Sequence, residues 1–121
     1  MVKQLKLSES EYRFARIVWE NEPLGSGELV KLCEQELGWK KSTTYTVLKK
    51  LCERGVFQNK NAMVTSLIKQ EQVQKFESEQ FMDRTFDGSL PRFITAFMND
   101  KTLSKKEADE LKKLIDSFKE G

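Results

Sequence analysis

Histidine is absent from this chain, and no apolar run approaches the length of a membrane span. Without imidazole there is no Ser-His-Asp or Cys-His nucleophile system, and no ring nitrogen to bind a metal or relay protons near neutral pH. Cysteine is scarce as well. Cys33 and Cys52 lie far apart with no C-x-x-C spacing, and two thiols without histidine make a poor zinc site. Both fall in helical patterns near apolar positions, so buried, reduced thiols are expected. No paired carboxylates and no phosphate-cradling glycine loop stand out, so no catalytic residue, metal or cofactor is expected and the chain reads as a non-enzyme. The start of the sequence lacks the apolar core of a signal peptide, which predicts a cytoplasmic protein with no membrane partner.

Large net charge is also missing: the formal balance is +2 over 121 residues. The distribution is uneven, however. Between Lys40 and Lys60 lie six basic residues (Lys40, Lys41, Lys49, Lys50, Arg54 and Lys60) against the single acid Glu53. From Glu71 to Leu90 five acids outnumber Lys75 and Arg84. A basic segment on a nearly neutral chain points to a local anion-binding surface.

What the chain does contain is a set of helical patterns broken by turns. Ser8-Glu9-Ser10-Glu11 is a capping box opening a helix to about Asn21. That helix is apolar on two sides, through Phe14, Ile17 and Val18 and through Tyr12, Ala15 and Trp19. Pro23-Leu24-Gly25 breaks it, with Leu24 as a one-residue strand. Ser26 is the expected cap of a second helix, which Gly38 ends. A third helix, Ser42 to Arg54, turns Thr44, Val47, Leu48 and Leu51 toward the core. Its other face holds Ser42, Thr43, Tyr45, Thr46, Lys49 and Lys50. Short hydroxyls suit base edges and lysines suit phosphates. A tight turn between the second and third helices makes a helix-turn-helix.

After Gly55 the period changes to that of strands, predicting a hairpin from Val56 to Ile68 with Asn59, Lys60 and Asn61 at its tip. Three helices and a hairpin make a winged helix. The expected division is residues 1–69 as a winged helix-turn-helix DNA-binding domain and 70–121 as a three-helix dimerisation domain, mainly α with a small β-hairpin. In the second part, Phe81, Phe86, Leu90, Phe93, Ile94, Phe97, Leu111, Leu114, Ile115 and Phe118 form apolar stripes too large for three short helices to bury. They are the expected homodimer interface.

From about Leu7 to Phe118 the chain resembles the BlaI/MecI/CopY family of penicillinase and methicillin-resistance repressors. The residues that carry the likeness are Leu7-Ser8-Glu9-Ser10-Glu11-Tyr12 with Ile17-Val18-Trp19, then Thr43, Thr46, Leu48, Lys50, Leu51 and Gly55, then Phe86-Asp87-Gly88-Ser89-Leu90 through Phe97, followed by Leu103-Ser104 and Leu111. The resemblance implies a homodimeric winged-helix repressor bound to an inverted-repeat operator in double-stranded DNA. It places Thr43 and Thr46 in the major groove, with Ser42 and Tyr45 as further candidates for reading bases. Lys40, Lys41, Lys49, Lys50, Arg54 and Lys60 are the phosphate candidates, and Lys60 with Asn61 would touch DNA from the wing.

The chain departs from the family in three places. Its last third has no cysteine, which excludes the copper-binding cluster of some members. The bond that a signal-dependent protease cuts in the β-lactam branch, Asn-Phe, corresponds to Ala96-Phe97. The wing has Asn61-Ala62-Met63 where Gly-Arg is usual. Two alternatives stay open at this stage: a winged-helix module that binds a partner protein, and a regulator with a trigger other than a β-lactam.

Overall fold

The computed structural model describes residues 5–120, so positions 1–4 and 121 of the two expected segments lie outside it. The elements are α1 (Glu9–Asn21), β1 (Leu24–Gly25), α2 (Ser26–Leu37), α3 (Lys41–Glu53), β2 (Phe57–Lys60), β3 (Met63–Ser66), α4 (Gln70–Phe86), α5 (Leu90–Phe97) and α6 (Lys105–Ser117). This is a winged helix followed by a helical region. Two compact units result, one ending at Phe81 and one beginning at Met82, so the first helix after the wing contributes to both.

In the first unit, α1 starts where the capping box predicts. The Ser8 hydroxyl accepts from the Glu11 amide at 3.2 Å, and the Ser8 amide donates back to Glu11 Oε1 at 2.9 Å. Two otherwise unpaired donors are thereby satisfied. The helix buries Phe14, Ala15, Ile17 and Val18 against Leu29 and Cys33 of α2, Leu48 and Leu51 of α3, and Val56, Phe57 and Val64 of the wing. Phe14 sits at the centre: its ring stacks on Trp39 (5.7 Å between centroids) and meets Phe57 edge-on at 5.9 Å.

Gly38 closes α2 in the left-handed region, at φ 69°, where a Cβ would clash with its own backbone. That turn lets Trp39 fold back onto Phe14 and leaves only three residues between α2 and α3. Ser26, expected as the cap of α2, is its first residue; Gly25 holds the cap position and offers no side-chain bond. The serine is buried instead.

The strands form an antiparallel sheet in the order β1-β3-β2. Leu24 pairs with Val64 and Gly25 with Met63, so the short strand after α1 ties the wing to the helices. In the hairpin Phe57 pairs with Ser66 and Lys60 with Met63. The turn is therefore the two residues Asn61 and Ala62, both at positive φ (54° and 62°), and not the broader tip centred on Lys60. Both positive angles are what a two-residue hairpin with the right-handed strand twist requires. Beyond the Ser66 pair the hairpin bonding continues, with the Leu67 and Ile68 amides both donating to the Val56 carbonyl at 2.8 and 3.1 Å, while the Glu22 carboxylate accepts from the Ser66 amide at 2.8 Å and from the Ser66 hydroxyl. Trp19 Nε1 then donates to the Ile68 carbonyl at 3.0 Å.

Among the described residues one core hydroxyl is poorly satisfied. That of Thr44 in α3 is fully buried and meets the Cys33 thiol, a weak partner, with no hydrogen bond of ordinary geometry. A buried, poorly paired hydroxyl costs stability, whereas a methyl of the same shape does not. Thr44→Val is expected to raise the unfolding free energy by about 1 kcal/mol, read from urea titration. A drop in stability would show that this hydroxyl is paired in solution.

The second unit has no comparable core. Phe86 meets Phe93 edge-on at 5.4 Å, and Phe93 stacks on Phe97 at 5.7 Å. Ser89 and Ser104 cap α5 and α6 by accepting from the Arg92 and Glu107 amides. Of the ten residues expected at a dimer interface, Phe86 and Phe93 are half-buried while the others are exposed, up to 78% for Phe118.

Candidate nucleic-acid interface

The helix α3 separates its two faces cleanly. Thr44, Leu48 and Leu51 are buried, while Ser42, Thr43, Tyr45, Thr46, Lys49 and Lys50 are exposed. The core position of Thr44 follows from the i, i+4, i+7 spacing to Leu48 and Leu51, and it turns the neighbouring hydroxyls outward. The Thr46 hydroxyl donates to the Ser42 carbonyl at 2.9 Å. Its methyl and the oxygen's lone pairs remain available on the surface, the groups that meet a thymine methyl or a base-edge donor. Tyr45 lies across the gap between helices, its hydroxyl 3.4 Å from Ser26 Oγ at the start of α2.

Cations surround this face. Lys40 and Lys41 begin the helix, Lys49 lies near its far end, and Lys60 ends β2; all four are exposed. Among the described residues none of the four forms an ion pair with a carboxylate. The structure thus brings the expected base-reading residues and Lys49 together on one helix, while Lys60 and Asn61 stand apart at the end of the hairpin.

Arg54 and Lys50 differ from these lysines. Arg54, the residue after α3, directs Nη1 to both oxygens of Glu11, at 3.2 and 3.1 Å, and its other terminal nitrogen donates to the Lys6 carbonyl. Lys50 Nζ lies 3.6 Å from the same carboxylate. Arg54 therefore anchors the end of α3 to the start of α1. Sequence reasoning found Glu11 as half of a capping box, but its partners are 39 and 43 positions away and no local signal marks them.

Burial pushes the Glu11 carboxyl up, but the Ser8 amide, Arg54 and Lys50 outweigh that and hold it below the ordinary glutamate range. A carboxyl depressed on folding contributes stability above its unfolded pKa, and the contribution is lost as pH falls through the folded value. Unfolding titrations from pH 7 down to pH 3 are expected to show this loss below the ordinary glutamate range. Glu11→Gln should flatten that part of the profile; an unaltered slope would remove Glu11 from the acid response.

The cysteines sit close behind the interface. Cys33 is fully buried, and burial pushes its thiol up to about 11 against an opposing pull from the Thr44 hydroxyl. Burial raises the Cys52 thiol as well. Thiols held in the neutral form are poor nucleophiles.

A helix-turn-helix with a small antiparallel wing, followed by a separate helical unit, defines the class: a winged-helix protein. The sequence pattern of the penicillinase repressor family matches residues 7–117, and the chain belongs to that family of transcriptional repressors. It is 22% identical over 123 residues to a penicillinase repressor of Bacillus licheniformis, covering 98% of this chain and 96% of that protein. To the methicillin resistance regulatory protein MecI of Staphylococcus aureus it is 20% identical over 117 residues, covering 93% of this chain and 95% of MecI. No helix among the described residues is long and apolar enough to cross a membrane.

Proposed function

We propose that the chain represses transcription as a homodimer that binds an inverted-repeat operator, each protomer laying α3 in the major groove. The observation that carries this reading is the exposed face of α3, where Ser42, Thr43, Tyr45 and Thr46 lie beside Lys49 with the core side of the helix fully committed. Thr43 and Thr46 read base edges. Lys40, Lys41, Lys49 and Lys60 grip phosphates, and Asn61 approaches from the wing. Exposed Leu90, Ile94, Phe97, Leu111, Leu114, Ile115 and Phe118 supply the dimer contact, which would set two half-sites about one helical turn apart. Residues 70–121 act as the dimerisation part, most of it the compact second unit that begins at Met82. Bound this way, the dimer excludes polymerase from the promoter.

We assign no cleavage to Ala96–Phe97. Alanine stands where the family pattern has asparagine, and the bond closes the last turn of α5. The repressor therefore responds to a trigger other than that cut.

A gel shift on the DNA upstream of the chain's own gene, at several salt concentrations and with random duplex as competitor, tests the proposal. Specific binding that weakens steeply with salt is expected; equal affinity for both duplexes would overturn operator recognition. Two variants separate the roles. Thr46→Ala should lose about 1–3 kcal/mol of preference at one operator position, and Lys49→Ala should weaken all binding and lower the salt slope by about one unit. A Lys49→Ala slope equal to that of the unsubstituted protein would take this lysine out of the footprint.

A further inference from the structure

Among the described residues, Glu11 is the acid whose carboxylate pairs with the cations at the end of the candidate reading helix. It lies on α1, not on α3, and its side chain is only 11% exposed. Three groups converge on it: the Ser8 amide at 2.9 Å, Arg54 Nη1 on both oxygens, and Lys50 Nζ at 3.6 Å. The two cations are not equivalent. Arg54 is 26% exposed, lies within hydrogen-bonding distance and also donates to the Lys6 carbonyl, so its position is fixed by several acceptors. Lys50 is 64% exposed, lies beyond hydrogen-bonding distance and holds the carboxylate by charge alone.

We infer that Glu11 is an affinity-setting residue for DNA binding: Arg54 holds its carboxylate in place beside the end of α3, and by pairing with Lys50 it competes with DNA phosphate for that lysine. The inference rests on the DNA-binding reading above and extends it to a residue outside the reading helix. Lys50 can leave its weak pair and swing to a phosphate, because its long side chain is mostly in solvent. Each departure releases a counterion from DNA, but it also leaves Glu11 with one cation fewer. A solution cation then moves toward the carboxylate, which offsets the release. The pair therefore lowers affinity for any duplex and makes binding less salt-dependent. Discrimination falls to the hydroxyl face, because grip without sequence information is held back.

Glu11→Gln is the test, since glutamine keeps an acceptor for Ser8 and suits a capping box while removing the charge. Binding to random duplex at low salt is expected to tighten about two- to fivefold, the range of an exposed ion pair. The salt slope should steepen by up to one unit. The gain should vanish in the Glu11→Gln/Lys50→Ala double variant, whose affinity should match that of Lys50→Ala alone. Weakened binding to operator and random duplex alike, with an unchanged slope, would mean that Glu11 only supports the fold and would overturn the inference. So would a gain that survives loss of Lys50.

If Glu11→Gln does not fold, the unsubstituted protein supplies the answer. The Glu11 carboxyl, followed by carbon NMR through an acid titration, should ionise at higher pH with random duplex bound than free, because Lys50 has left while Ser8 and Arg54 stay. An identical titration with and without duplex would overturn the inference. Absence of any duplex binding by the unsubstituted protein is a separate result, and it would remove the DNA-binding reading itself.

Discussion

Phe14→Ala is expected to cost about 3–5 kcal/mol, a large share of the stability of a small domain. The ring is fully buried and touches both the turn of the helix-turn-helix, through Trp39, and the wing, through Phe57. Its removal leaves a cavity that neither aromatic can fill, because each is held elsewhere. Trp39 is tied to the turn by its backbone amide, which donates a hydrogen bond to the Cys33 carbonyl, and Phe57 sits in the sheet opposite Ser66. Urea titration would give the value, and a loss under about 1 kcal/mol would mean that the core repacks around the gap. Phe14→Leu keeps much of the volume and should lose markedly less.

The second large effect is on assembly. Leu114→Asp places a carboxylate in the middle of the α6 stripe formed by Leu111, Leu114, Ile115 and Phe118, all exposed in the single chain. In a dimer built on that stripe the charge would be desolvated without a partner, so dissociation should strengthen by on the order of 2 kcal/mol or more, at least thirtyfold. Sedimentation equilibrium reads this directly. Lys113→Asp changes charge one position away, outside the stripe, and should leave the dimer intact. Identical association for the two variants would place the dimer contact elsewhere. Operator affinity should fall with Leu114→Asp because one half-site alone provides half the contacts, while the winged helix itself keeps its stability.

Much of this architecture was legible because local chemistry and packing agree. Ser8 and Glu11 announce the start of α1, Gly38 the end of α2, and the spacing of Thr44, Leu48 and Leu51 the core side of α3. The outward face of α3 followed from that spacing without any further signal. Features set by the chain's return on itself were not legible. The hairpin tip offered no glycine, so the sequence pointed to a turn around Lys60, whereas pairing with Met63 moves it to Asn61 and Ala62. Ser26 resembled a cap, yet it is the first residue of α2, and its amide donates to the Ala62 carbonyl of the wing. Arg54 read as one more lysine-like cation. Only the meeting of α1 with the end of α3 shows that its guanidinium serves Glu11.

The placement of aromatic residues also divides the protein optically. Trp19 and Trp39 both pack in the first unit, Trp19 edge-on to Phe57 at 6.4 Å and Trp39 on Phe14. From Met82 onward the sequence has neither tryptophan nor tyrosine. Intrinsic tryptophan fluorescence therefore follows the winged helix alone, while far-ultraviolet circular dichroism follows the helices of both units. If the helical unit melts first, dichroism will fall while fluorescence holds, and the gap between the two curves will give the stability of each unit without any label.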